Sequence, residues 1–115
     1  MKGRIECGNI YFIDLKNRFG HEYKGLRPYV VIDGNEFISF SNVVCVTPLT
    51  SKLSKKRRYD VLAAMDTYNN LKTDSLIRLD QIDNIDKQYL GYCLGKISKN
   101  LIKQIHYNLR NRFNY

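Results

Sequence analysis

The chain has 115 residues, 19 of them Lys or Arg against 11 Asp or Glu, for a formal charge of +8, and 43% are hydrophobic. That length suits one domain, residues 1–115, with a real core but close to the size where oligomerisation helps stability; the composition excludes a disordered chain. No apolar stretch approaches a signal sequence or a membrane span, since "IYFIDL" is short and holds Asp14, so a cytoplasmic address is expected.

In chain order, "NIYFIDL" (9–15) is rich in β-branched and aromatic residues and predicts a strand. "RPYVVI" (27–32) predicts a second strand, with Pro28 tolerable at its start. "DGN" (33–35) is a turn signal, and "EFISF" (36–40) reads as a short strand pairing back across it. The most continuous apolar run, "NVVCVTPL" (42–49), predicts the central strand; its far end carries Thr47, Pro48, Thr50 and Ser51, so the threonines and the serine bring hydroxyls to the rim. "SKLSKKRR" (51–58) holds five basic residues and no acidic one, so it must be a solvated loop. "YDVLAA" and "DSLIRLDQI" predict further strands, the latter placing Leu76, Arg78 and Asp80 on one face. After Asp86 no acidic residue remains, and Leu101, Ile105 and Leu109 at spacing four predict a C-terminal helix with Ser98 as N-cap and Lys or Arg toward its end.

Cys7, Cys45 and Cys93 are odd in number and widely spaced, which suits reduced, mostly packed thiols better than a disulfide framework or a metal site. His106 falls off the main apolar stripe of the helix and reads as a surface or boundary residue. His21 keeps different company: Glu22 beside it, Gly20 and Gly25 around it, and Arg27 at the next strand's start. On spacing alone, that cluster is still a charged hairpin loop.

The segments "GHEYKGLRPYVVI" (20–32), "VTPLTS" (46–51) and "DSLIRLDQIDNIDKQYL" (74–90), in this order and at this spacing, resemble the MazF/PemK family of toxin endoribonucleases from bacterial toxin–antitoxin systems. The similarity runs from "GNIYFIDL" to the last helix. It implies a mainly β (α+β) fold, a small half-open β-barrel with a C-terminal helix. It also implies a homodimer, metal-independent and cofactor-free cutting of single-stranded RNA at short motifs, and neutralisation by an acidic antitoxin, with DNA approached only through that antitoxin.

Cutting RNA without a metal uses the adjacent 2′-hydroxyl as nucleophile. That chemistry needs a proton acceptor, a proton donor for the leaving 5′-oxygen, and positive charge on the phosphorane-like transition state. Arginine suits the last role, because its planar fork meets phosphate oxygens two at a time. By resemblance, Arg27 matches the arginine of the family's Arg-Pro motif, and Thr50 the threonine of its Pro-x-Thr-Ser motif. In the PemK-like branch a His-Glu pair and an Arg-x-Asp-Gln segment recur; the match makes Asp80 a candidate base, Arg78 an electrostatic stabiliser or acid, and His21 a phosphate-orienting or proton-sharing group. Arg78 and Asp80 are equally readable as a same-face ion pair, Glu22 as a group that holds its loop or Arg27, and Thr50 as a turn former. Substrate contacts are expected from Glu22, Ser51, Phe19, Tyr23, Lys52 and Lys56, with Lys55, Arg57 and Arg58 beside them. Two rivals share the barrel: a gyrase-binding toxin of the CcdB type, and a basic RNA-binding module that does not cut.

Overall fold

The computed structural model describes residues 3–15 and 25–114. Its strands are β1 (Asn9–Asp14), β2 (Leu26–Val31), β3 (Val43–Thr50), β4 (Val61–Ala63), β5 (Ser75–Ile77), β6 (Asp83–Asp86) and β7 (Cys93–Lys96). Two helices join them, α1 (Asn35–Phe40) and α2 (Lys99–Phe113). Every strand pairing is antiparallel, in the order β4-β5-β3-β2-β1-β7, with β6 also on β3.

The expected central strand is central. Along one edge β3 pairs with β2; along the other it pairs with β6 over Val43–Val46 and then with β5 at Leu49 and Thr50. Changing partner midway along one strand bends the sheet, and the result is a curled half-barrel. Because strand side chains alternate, the sheet buries two faces. Ile10, Val30, Leu49, Val61 and Ile77 pack with Ile97 and with Ile105 of α2. Tyr11, Tyr29, Val31, Val44 and Val46 pack with Ile38 of α1 and with Leu90. Burial on both sides explains why β2 and β3 read as unbroken apolar runs.

The C-terminal helix forms as its spacing predicts. Ser98 Oγ accepts the Leu101 N–H at 3.2 Å, Ile105 is buried, and Arg110 and Arg112 lie in the last turn. "EFISF", expected as a strand, is instead most of α1. The edge of β2 it would have paired with is already taken by β3, whose Val46 lies opposite Val31, so the segment folds back as one and a half turns that bury Ile38 alone. "DSLIRLDQI" is a strand only to Ile77. Arg78 still donates its N–H to Pro48 O at 2.9 Å, but Gln81 N–H then closes a turn on Arg78 O, and Asp80 swings out to solvent. Cys7 and Cys45 are half-buried, whereas Cys93, expected among packed thiols, is exposed; all three are free. No helix among the described residues is long and apolar enough to cross a membrane.

Candidate active site

Gly25, at a φ of +84°, turns the chain into β2 in a conformation that favours glycine. Two residues on is Arg27, half-buried and opposite Ile13 of β1. On the other side, the β2–β3 register sets Tyr29 opposite Pro48 and Val30 opposite Thr47. That pairing ends at Tyr29 and Pro48; Arg27 and Thr50 each lie two positions beyond it on their strands. Because strand side chains alternate, Arg27 lies on the Tyr29 face of β2 and Thr50 on the Pro48 face of β3, and Tyr29 and Pro48 are directly opposite. The arginine and the threonine singled out from sequence thus share one face at the adjoining ends of two paired strands.

Thr50 is 3% exposed, and its Oγ1 accepts the Lys52 N–H at 3.3 Å. That bond is the turn-forming role foreseen for it, and it leaves the hydroxyl proton available for an acceptor such as a phosphate oxygen. Thr47 does not reach the rim: it is fully buried, its hydroxyl donating to the Arg78 carbonyl. Ser51, Lys52, Lys55, Lys56 and Arg58 are exposed along the loop that follows β3. His21, Glu22, Phe19 and Tyr23 lie outside the described residues.

Arg78 and Asp80 do not form a pair with each other. Arg78, only 1% exposed, sets Nη1 2.6 Å from Asp60 Oδ2 and 2.9 Å from the Lys55 carbonyl. Asp80 takes Arg57 Nη1 on both carboxylate oxygens, at 3.1 and 3.0 Å. The same-face reading fails because β5 ends one residue before Arg78. Asp60 itself is 4% exposed and also accepts the Arg57 N–H at 2.8 Å. Burial pushes its carboxyl pKa up, while the Arg57 amide and the Arg78 guanidinium pull it back. Sequence reasoning passed over Asp60; its one signal is that it is the first carboxylate after the basic run.

Beside the rim lies a cavity of about 240 Å³ whose lining includes Phe12, Pro28, Leu71 and Leu94, with Ser51 and Thr73. At its Phe12 side the ring stacks on Tyr92, centroids 6.4 Å apart, and Tyr92 is 72% exposed. The sequence does not single out this Phe12–Tyr92 pair, since nine tyrosines offer no way to choose among them.

Fold and site together define a class: a small curled-sheet protein with an arginine and a threonine on one face of adjoining strands and a basic loop beside them. The sequence profile described as "PemK-like, MazF-like toxin of type II toxin-antitoxin system" matches residues 6–113. Endoribonuclease EndoA of Bacillus subtilis is 33% identical over 86 residues, 75% of this chain and 74% of that protein. Endoribonuclease MazF of Staphylococcus saprophyticus is 29% identical over 99 residues, 86% of this chain and 82% of that one. Among solved structures, MazF from Deinococcus radiodurans superposes with a TM-score of 0.78 at 16% identity, over 96% of this chain and 97% of that chain. A mycobacterial endoribonuclease in complex with its cognate antitoxin gives 0.68 at 20% identity, over 96% and 93%. The chain belongs to the PemK-like, MazF-like toxin family, and it is a toxin endoribonuclease of a toxin–antitoxin system.

Proposed function

We propose that this MazF-like toxin cuts single-stranded RNA in the cytoplasm without a metal, by attack of a ribose 2′-oxygen on its own phosphodiester. The attacking oxygen forms a bond to phosphorus, its proton passes to a base, and the 5′-oxygen departs with a proton. The products are a 2′,3′-cyclic phosphate and a 5′-hydroxyl. One observation supports the reading: Arg27 and Thr50 lie on one face of the adjoining strands β2 and β3, each two positions beyond the Tyr29–Pro48 pair. Arg27 supplies a fixed charge and paired donors to the phosphate oxygens, and Thr50 adds a hydroxyl donor. His21, an imidazole able to take or give a proton, shares the proton transfers, with Glu22 holding it or Arg27. Phe19, Tyr23 and the Phe12–Tyr92 stack supply faces for unpaired bases, while Ser51, Lys52 and Lys56 follow the backbone.

An antitoxin with an acidic segment would cover the same cations, which complementary charge makes fast. A mycobacterial relative has been solved with its cognate antitoxin, and this supports that partner. A homodimer is the proposed assembly, supported by the exposed apolar side chains Phe37, Phe40 and Val43, close together in the chain.

The test is incubation of pure protein with a long single-stranded transcript in EDTA, followed by mapping of the ends. Discrete cuts with cyclic-phosphate and 5′-hydroxyl termini are expected; an intact transcript across varied sequences overturns the mechanism. Arg27→Ala should lower kcat by about 10² to 10³, the usual worth of one oriented transition-state donor, and Thr50→Val by a similar order. Either variant cutting at the wild-type rate removes its residue from the site.

A further inference from the structure

Two carboxylates and two arginines tie down the segment that carries the surplus cations. Arg78 donates from inside the fold to Asp60 at 2.6 Å and to the Lys55 carbonyl at 2.9 Å, so one buried guanidinium holds both ends of the stretch from 55 to 60. Within it, Asp60 accepts the Arg57 N–H at 2.8 Å while its own N–H donates to the Arg57 carbonyl at 3.1 Å, closing a tight turn. Outside, Asp80 grips the Arg57 guanidinium from the loop after β5. The base of this arrangement is the β3–β5 ladder: the Arg78 N–H donates to Pro48 O, two residues before Thr50.

We propose that Asp60, Arg78 and Asp80 form a clasp that positions the basic segment 52–58 against the RNA backbone, and that none of the three reacts with the substrate. This rests on the endoribonuclease reading but assigns Arg78 and Asp80 a different duty from the one their resemblance implies. Arg78 is buried, and its Nη1 is already shared between a carboxylate and a carbonyl, so that donor is committed to the fold. Asp80 presents to Arg57 the two oxygens that a phosphate would present, so it both orients that fork and competes with RNA for it. The inner pair sets where the loop stands; the outer pair sets how strongly one of its cations is engaged.

The experiment compares wild type with Asp60→Leu/Arg78→Met, Asp60→Asn and Asp80→Asn. The double variant replaces the buried ion pair with apolar side chains, a change folds commonly tolerate, whereas Asp60→Asn leaves the Arg78 charge without its partner and serves as a second probe of the same anchor. Asp80→Asn alters an exposed group and tests the outer pair whatever the core variants do. Two readouts are taken: kcat and KM on the mapped transcript, and the salt dependence of binding. The binding probe is that transcript with 2′-deoxyribose at the cut, or the unmodified transcript if wild type cuts nothing, so the clasp remains testable even where the cleavage reading fails. Without the anchor, binding should weaken on the order of tenfold, and the slope of log affinity against log salt should flatten by about 0.7 for each phosphate no longer neutralised. In the same variants kcat at saturating RNA should stay within about threefold of wild type, the sign of impaired positioning rather than impaired chemistry. Asp80→Asn should keep kcat, bind RNA at least as tightly, and steepen the slope by about 0.7 as Arg57 turns to phosphate. A fall in kcat of about a hundredfold with KM unmoved in Asp80→Asn or the double variant would make these groups reactive and overturn the proposal. Unchanged affinity and slope in a folded double variant would overturn it equally.

Discussion

Cys45 shows how a single side chain can be silenced by its surroundings. Its backbone N–H is held by Asp33 at 2.7 Å, and its thiol is pushed up to about 12 from 9.0 by burial first, then by Asp33 and Asp83. Since only the thiolate is nucleophilic, a thiol with that value is about one part in ten thousand reactive at pH 8. Cys93 is exposed, so limited iodoacetamide at pH 8 should modify Cys93 first and leave Cys45 unmodified until the chain unfolds, as peptide mass mapping would show. Cys45 modified as fast as Cys93 would contradict the burial. The linkage has a definite sign. A folded-state value above the unfolded one means the native protein keeps a proton that the unfolded chain gives up, so this group's stabilisation is intact below about pH 9 and is lost as pH climbs through about 12. Arg27 and Thr50 can be proposed at this scale because motif residues at strand ends can be matched by order alone. The pairing of Arg78 was not legible: its partner Asp60 lies 18 positions away, and no local pattern reports which of several carboxylates a buried arginine will find.

Elements with a sustained period were the readable ones. β1, β2 and β3 are apolar runs buried from both sides, and α2 has its stripe, its cap and its basic last turn in the expected places. The Ser98 cap can be tested directly: Ser98→Ala leaves the Leu101 N–H without its side-chain acceptor and should cost about 1 kcal/mol, lowering Tm by about 4 °C in a domain of this size. Denaturation followed by circular dichroism measures it, and an unchanged Tm would mean that water or a neighbour satisfies the amide. β6 and β7 left no such signal. "DNID" and "CLGK" are four residues each, too short for a period, and exist as strands because β3 and β1 offer them an edge. The same logic made α1 of "EFISF", where the edge was already occupied. Local propensity proposes an element, and a free ladder position decides it.

At the scale of the whole molecule, charge distribution matters more than any one contact. Eleven acids are set against nineteen bases, and the C-terminal stretch beyond Asp86 has bases and no acid at all. One polyanion can therefore reach several cations at once, and a homodimer doubles the +8. Sedimentation equilibrium should report twice the 13.5 kDa chain mass, and a monomer at micromolar concentration would remove the dimer from the proposal. For binding, each phosphate neutralised on a single strand contributes about −0.7 to the slope of log affinity against log salt, so four loop cations engaged with RNA give about −3. Affinity for single-stranded RNA should then fall about fiftyfold between 50 and 200 mM KCl by fluorescence anisotropy, while kcat at saturating RNA barely moves, because salt weakens capture and not the chemistry of RNA already bound. A slope shallower than about −1 would leave the basic segment facing solvent alone, and RNA would have to be held by the aromatic faces beside the cavity instead.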